Sequence, residues 1–201
     1  LIAGALILVT AAATLIYAIA TREGDEGFMK RGEFELRWDR KEVPVSCSHD
    51  DTVKEHHLVL YNAARKEINE KVGKTLVGPC IAWQIREPMP GFIAGSIVLR
   101  VTDTDPDPPD GVTVSSPYDK HAGGVTRHKY DKRTGRILGA AVLIDPKLEK
   151  DLESRVWLHE LGHVLGLMHD RRQDSVMYAN ANGRPRGLST TDVKHLQRAY
   201  K

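Results

Sequence analysis

The sequence predicts an α/β (α+β) domain of about 165 residues behind an apolar N-terminal helix. Three observations predict it. Strand-like segments come first with one helix among them, two helices close the chain, and residues 1–20 carry no charge at all. All 29 Lys and Arg and all 27 Asp and Glu therefore lie in the remainder, the balance of a polar-surfaced folded domain. The net charge of +2 leaves no basic excess for a phosphate backbone, so nucleic acid is not an expected partner. A hydrophobic fraction of 41% with 17 Gly and 10 Pro excludes collagen-like, coiled-coil and mostly disordered chains.

Taken in order, LIAGALILVTAAATLIYAIA (1–20) matches the ~20 apolar residues needed to cross ~30 Å of hydrocarbon. Ala18-Ile19-Ala20 also fits a signal-peptide cleavage site, but the apolar core exceeds the usual ~7–15 residues, which favours a transmembrane anchor over a cleaved signal peptide. Either places the following domain outside the cytoplasm, membrane-anchored or secreted. Residues 21–35 are polar and Gly-punctuated and read as a linker, so the domain proper spans 36–201. Leu36-Arg37-Trp38 and Val43 to Cys47 read as an entering strand, with Pro44 near its start or on an edge. Asp50 or Asp51 is placed to cap a helix running to about Lys71, its apolar positions at helical spacing and Gly73 as its stop. Ile81 to Ile85 and Ile97 to Val101 read as strands, and 103–119 as a long Pro- and Asp-rich surface loop. Val125 to Tyr130 and Arg136 to Ile144 form a hairpin around Lys132 to Gly135. Pro146 opens a helix from about Lys147 to Leu165, and Ser189, followed three residues later by Asp192, caps a closing helix to Tyr200.

The chemistry is concentrated in HELGHVLGLMH (159–169). Residues four apart on a helix lie one above the other, so His159 and His163 can present two imidazoles to one cation. Glu160, about 100° round the helix from His159, stands beside that cation and can take a proton from a metal-bound water. His169 reaches the same point only if the helix ends, and Gly166 supplies the left-handed residue that ends it. Three neutral nitrogens with one open position make a catalytic zinc site rather than a closed structural one. The spacing of His and Glu alone arises by chance in roughly 2% of such sequences, and with the Gly and third His in roughly one in ten thousand.

With Ser175-Val176-Met177-Tyr178 following, the chain resembles the metzincin clan of zinc metalloproteases, and within it the matrixin-like peptidases. Leu36 to Asp39 resembles the opening strand of that family and GLSTTDVKHLQRAY (187–200) its closing helix. The resemblance implies a mixed twisted sheet with a zinc-binding active-site helix and a C-terminal helix. It also implies one catalytic zinc on His159, His163 and His169, Glu160 as general base, and Met177 as the apolar floor of the Met-turn. Asp170 stands where matrixins carry Ser, and Ala179 where they carry Pro. Tyr178 directly follows Met177 and is given no catalytic role.

Weaker signals complete the inventory. Cys47 and Cys80 are a candidate disulfide in an oxidising compartment. Asp103, Asp105, Asp107 and Asp110 are candidate calcium ligands but fit no EF-hand spacing, and a plain solvated loop is the favoured reading. Asp119, His121 and His128 are poorly spaced for a second zinc, and His56 and His57 read as surface and packing histidines. The expected function is that of a zinc-dependent endopeptidase hydrolysing protein or peptide substrates. An edge strand in 125–130 or 95–102 would hold those substrates by strand addition. The alternative is a catalytically silent zinc-binding interaction module of the same fold; such modules typically lack the Glu that is present here. The sequence sets no oligomeric state.

Overall fold

The structure, a computed structural model, describes residues 30–31, 34–47, 53–82, 92–102, 123–148, 150–179 and 187–201. In chain order its elements are β1 (Lys30–Arg31), β2 (Phe34–Glu35), β3 (Val43–Cys47), α1 (Glu55–Val72), β4 (Val77–Ala82), β5 (Ile97–Val101), β6 (Gly124–Tyr130), β7 (Ile137–Ile144), α2 (Lys150–Val164) and α3 (Thr190–Ala199). The apolar segment 1–20, most of the linker, and the loop 103–119 with its four aspartates lie outside the described residues, as do Asp119 and His121. Among the described residues no helix is long and apolar enough to cross a membrane.

Five strands form one mixed sheet in the order β4-β3-β5-β7-β6. The first three pairings are parallel, and only the β6–β7 hairpin is antiparallel. Its turn closes through Gly135, at φ +69°, with Gly135 N–H donating to Asp131 O at 2.9 Å. β5 and β7 are near-continuous apolar runs, as strands buried on both faces require. Ile97, Leu99 and Val101 join Ala140, Val142 and Ile144 in the main core, while Val98 and Ala141 face the opposite side under Phe92 and Ile93. α1 packs on β4 and on α2, and α2 lies against β6 and β7, so the two helices close the main core together.

Several boundaries differ from the sequence expectation for identifiable reasons. α1 begins at Glu55, and its N-cap is Lys54, whose N–H donates to His57 Nδ1 at 2.9 Å; Asp50 and Asp51 lie outside the described residues. β4 starts at Val77, not Ile81, because an edge strand tolerates Pro79 in its ladder. α2 starts at Lys150 rather than Lys147: Asp145 Oδ1 accepts the Lys147 N–H at 2.8 Å, and the Asp145 carbonyl accepts from Leu148. That side-chain turn spends the residues after Pro146 before a helix can form. The linker contains a two-stranded pairing, Lys30 with Glu35 and Arg31 with Phe34. Finally, β5 is an interior strand between β3 and β7, so of the two candidate substrate strands only β6 is an edge among the described residues. Cys47 and Cys80, on neighbouring strands, are joined by a disulfide with Cα atoms 5.9 Å apart.

Candidate metal centre

Helical spacing alone stacks His159 above His163, with ring centroids 4.6 Å apart on α2. The third ring arrives because the helix stops. Gly166, at φ +93°, takes the left-handed conformation; its N–H donates to His163 O at 2.8 Å and Leu167 N–H to Gly162 O at 3.0 Å. This 5→2 and 6→1 pair is a Schellman C-cap. The chain reverses, and His169 comes to 4.7 Å from His163 and 5.2 Å from His159, centroid to centroid. One ligand-competent atom from each of the three lies within 4.8 Å of the others.

The two helical rings are oriented from behind. His159 Nδ1–H donates to Val176 O at 2.8 Å and His163 Nδ1–H to Leu167 O at 2.7 Å. Each Nε2 is thereby left with its lone pair, the tautomer a metal ligand requires. Desolvation disfavours imidazolium in the cluster, lowering half-buried His159, holding half-buried His163 well below the usual histidine value and bringing the more exposed His169 to about 4. For His163 and His169 the neighbouring rings add to the effect. Neutral, convergent and pre-oriented, the set fits a borderline cation such as zinc.

Glu160 is buried against β6. The Thr126 hydroxyl lies 2.7 Å from Oε2 and 3.0 Å from the Glu160 carbonyl. Desolvation pushes the Glu160 carboxyl up to about 7, with the Thr126 hydrogen bond opposing the rise. Two residues before Thr126, a Cβ on Gly124 would stand 2.7 Å from Glu160 Cγ, so only a glycine leaves this carboxylate its room.

Met177 is 1% exposed, and a Cβ on Gly162, within α2, would overlap its sulfur. The turn that carries Met177 is tied in place by buried polar groups: Met177 N–H donates to Ser175 Oγ at 3.0 Å, and Ser175 Oγ–H to Asp192 Oδ1 at 2.8 Å. Asp192 Oδ2 in turn accepts the Ser189 N–H at 2.8 Å in the capping box of α3. Past the third histidine, Asp170 pairs with Arg172, which holds its carboxyl below the usual range; the same guanidinium donates to Thr191 on α3. Tyr178 pairs with Asp170 only through backbone. His128 is fully buried, its Nε2–H donating to His163 O at 2.9 Å.

A cavity of about 260 Å³ opens beside His169, lined by Leu167, Asp170, Arg172, Met177 and His195 among others. The larger cavity, about 1090 Å³ between Arg37, Arg40, Lys74 and Arg136, holds none of these histidines. Sequence reasoning missed Thr126, Gly124, Gly162 and Asp192. The first three have no local pattern, whereas Asp192 was visible as a cap residue but not as the anchor of the turn that carries Met177.

An α/β domain with three convergent imidazoles and a buried carboxylate one residue from the first defines a candidate mononuclear metal centre of hydrolytic type. The matrixin peptidase family matches residues 81–201, and the chain belongs to that family. No curated protein sequence matches it. Among solved structures it is similar to metalloproteinase-II from Bacteroides fragilis, with 13% identity and a TM-score of 0.48, over 88% of this chain and 59% of that one. The chain thus spans about three fifths of the length of that protein.

Proposed function

We propose that the chain is a zinc-dependent endopeptidase, with His159, His163 and His169 holding the ion and Glu160 acting as general base. The observation that carries this reading is the convergence of three neutral imidazoles, two of them locked through Nδ1–H, beside a carboxylate held up to about 7. When bound, zinc supplies Lewis-acid polarisation of the scissile carbonyl and acidifies a water. Glu160 does the proton work. With Oε2 engaged by Thr126, Oε1 remains to accept a proton from water and then hand it to the leaving amine. A carboxyl with affinity near neutrality can both take and return that proton.

Met177 supplies the apolar floor, Gly166 the reversal that brings His169 round, and β6 the sheet edge along which an extended protein or peptide substrate adds as a further strand. The Cys47–Cys80 pair favours an oxidising, extracytoplasmic location. The four candidate calcium ligands, Asp103, Asp105, Asp107 and Asp110, lie outside the described residues.

The test is cleavage of a random peptide library by the full chain, with and without chelator, alongside zinc content. Chelator-sensitive cleavage with one tightly held zinc is expected. Glu160→Gln should keep that zinc and lose turnover by roughly 10²–10⁴-fold. A zinc-loaded chain that cleaves nothing would overturn the activity, and loss of zinc in Glu160→Gln would overturn the assignment of Glu160.

A further inference from the structure

Among the described residues a second cluster of metal-ligating side chains lies outside the three-histidine centre: His56 and His57 in the first turn of α1, and Glu153 in the first turn of α2. We propose that His56, His57 and Glu153 form a second binding site for a divalent transition-metal cation of the zinc class, bridging the starts of the two helices.

The carboxylate carries the inference. Glu153 is 5% exposed, and its buried Oε1 has no hydrogen-bond partner among the described residues. A buried carboxylate oxygen without a partner is costly, and such orphans call for an explanation. Facing it are His57 Nε2 at 3.5 Å and His56 Nε2 at 3.9 Å. Those distances exceed the ~2.7–3.2 Å of an N–H···O hydrogen bond. They suit donors sharing a cation instead: bonds of ~2.0–2.1 Å at a tetrahedral angle set ligand atoms about 3.4 Å apart. Two imidazoles and one carboxylate are a donor set that zinc and its neighbours accept.

The cluster is set by packing as well as by local sequence. One turn further along each helix, Tyr61 meets Trp157 edge-on at 6.1 Å, so the α1–α2 contact fixes Glu153 opposite the histidine pair. His56, with 53% of its side chain exposed, opens the cluster to solvent. Glu153 and His159 are six residues apart on α2, about 9 Å along its axis, which makes this a separate site.

Two features make it the weaker of the two. His57 Nδ1 accepts the Lys54 N–H, so its neutral ring carries the proton on Nε2. A cation there displaces that proton and takes the acceptor away from the helix cap. Both helices also point their N-terminal ends at the site, which favours the carboxylate and opposes the cation.

The experiment is calorimetric titration of the metal-free full chain with Zn²⁺ alone. The wild type should bind a tight and a weaker equivalent. His159→Ala/His163→Ala should retain only the weaker one. His56→Ala, at an exposed position outside the fold's core, should weaken the second equivalent at least tenfold and leave the first unchanged; Glu153→Gln should do the same. Filling the weaker site should also speed hydrogen exchange at the Lys54 amide. A single equivalent in the wild type, or a second one that survives both His56→Ala and Glu153→Gln, would overturn the proposal. Loss of the tight equivalent alone would instead bear on the three-histidine centre.

Discussion

Replacing Gly166 by Val separates the two things that residue does. In the left-handed region an L side chain costs about 1–2 kcal/mol, and the β-branch adds to the crowding at φ +93°. Against that, a side chain restricts the unfolded chain and recovers about 0.4–1 kcal/mol where it can be accommodated. If the backbone held its course, net stability would fall by only about 1 kcal/mol. The cheaper escape is for residue 166 to turn right-handed and carry α2 onward, since Val costs less in a helix than Gly. The helix would then carry His169 about 9 Å beyond His163 along the axis and about 240° round from it. No cation with bonds of ~2.0–2.1 Å reaches both at that separation. The expected result is therefore a modest loss of stability in the metal-free chain with at least a tenfold loss in zinc affinity. Urea midpoints and competition against a chelator read the two quantities separately. Unchanged zinc affinity in Gly166→Val would mean that the reversal after His163 does not depend on a residue at positive φ, and the third ligand would have to be sought elsewhere.

Three further outcomes are expected. Thr126→Val removes a buried hydroxyl bonded to the Glu160 carboxylate, an interaction worth about 1.5–3 kcal/mol, so kcat should fall by roughly tenfold or more with KM little changed. Thr126→Ser should restore it, and equal kcat in Val and wild type would remove Thr126 from the site. Reduction of Cys47–Cys80 should add two hydrogens to the intact mass and lower stability by about 3–4 kcal/mol, as expected for freeing a closed loop of this length; no change in midpoint would refute the constraint. In the metal-free chain, histidines whose proton affinity is lowered on folding contribute stability that is present above about pH 6.5 and lost as pH falls. Glu160, raised to about 7, acts in the opposite sense, its contribution lost as pH rises from about 4.5 toward 7. Three groups outweigh one, so urea midpoints should rise between about pH 4.5 and 6.5, more steeply in Glu160→Gln. A flat profile would contradict burial as the cause.

What the sequence made legible was what a few adjacent residues decide. The stacking of His159 on His163, the stops at Gly73 and Gly166, and the Ser189–Asp192 cap all follow from spacing within one or two helical turns. The β6–β7 hairpin was equally local. The start of β4 was not, because Gly78 and Pro79 argue against a strand until the strand is known to lie at an edge. Nor was the start of α2, where Asp145 diverts the backbone into a side-chain turn before the helix begins. His57 was read as a packing residue, yet its ring caps α1 at Lys54 and faces Glu153 across the helix pair. Each of these depends on a partner that periodicity does not reveal.

The same division explains how the candidate metal centre is held. A helix leaves its last carbonyls short of internal partners, and at the end of α2 the C-cap itself reaches only as far as the His163 carbonyl, through the Gly166 N–H. These last carbonyls are taken by side chains from three distant parts of the chain. His128 Nε2–H donates to His163 O, Trp38 Nε1–H to Val164 O at 2.8 Å, and Tyr200 O–H to Leu165 O at 2.9 Å. All three donors are buried; losing Trp38 or Tyr200 takes the donor from a helix-end carbonyl at a cost of about 1–3 kcal/mol, whereas His163 O keeps the Gly166 N–H when His128 is lost. The segment before β3, the edge strand β6 and the final helix therefore converge on a single turn, the one that Gly166 reverses. Helical periodicity brings two imidazoles together, but the end of the helix that carries the second and releases the third is fixed by contacts spanning most of the described fold. The motif specifies which residues meet; the distant donors specify that they stay met.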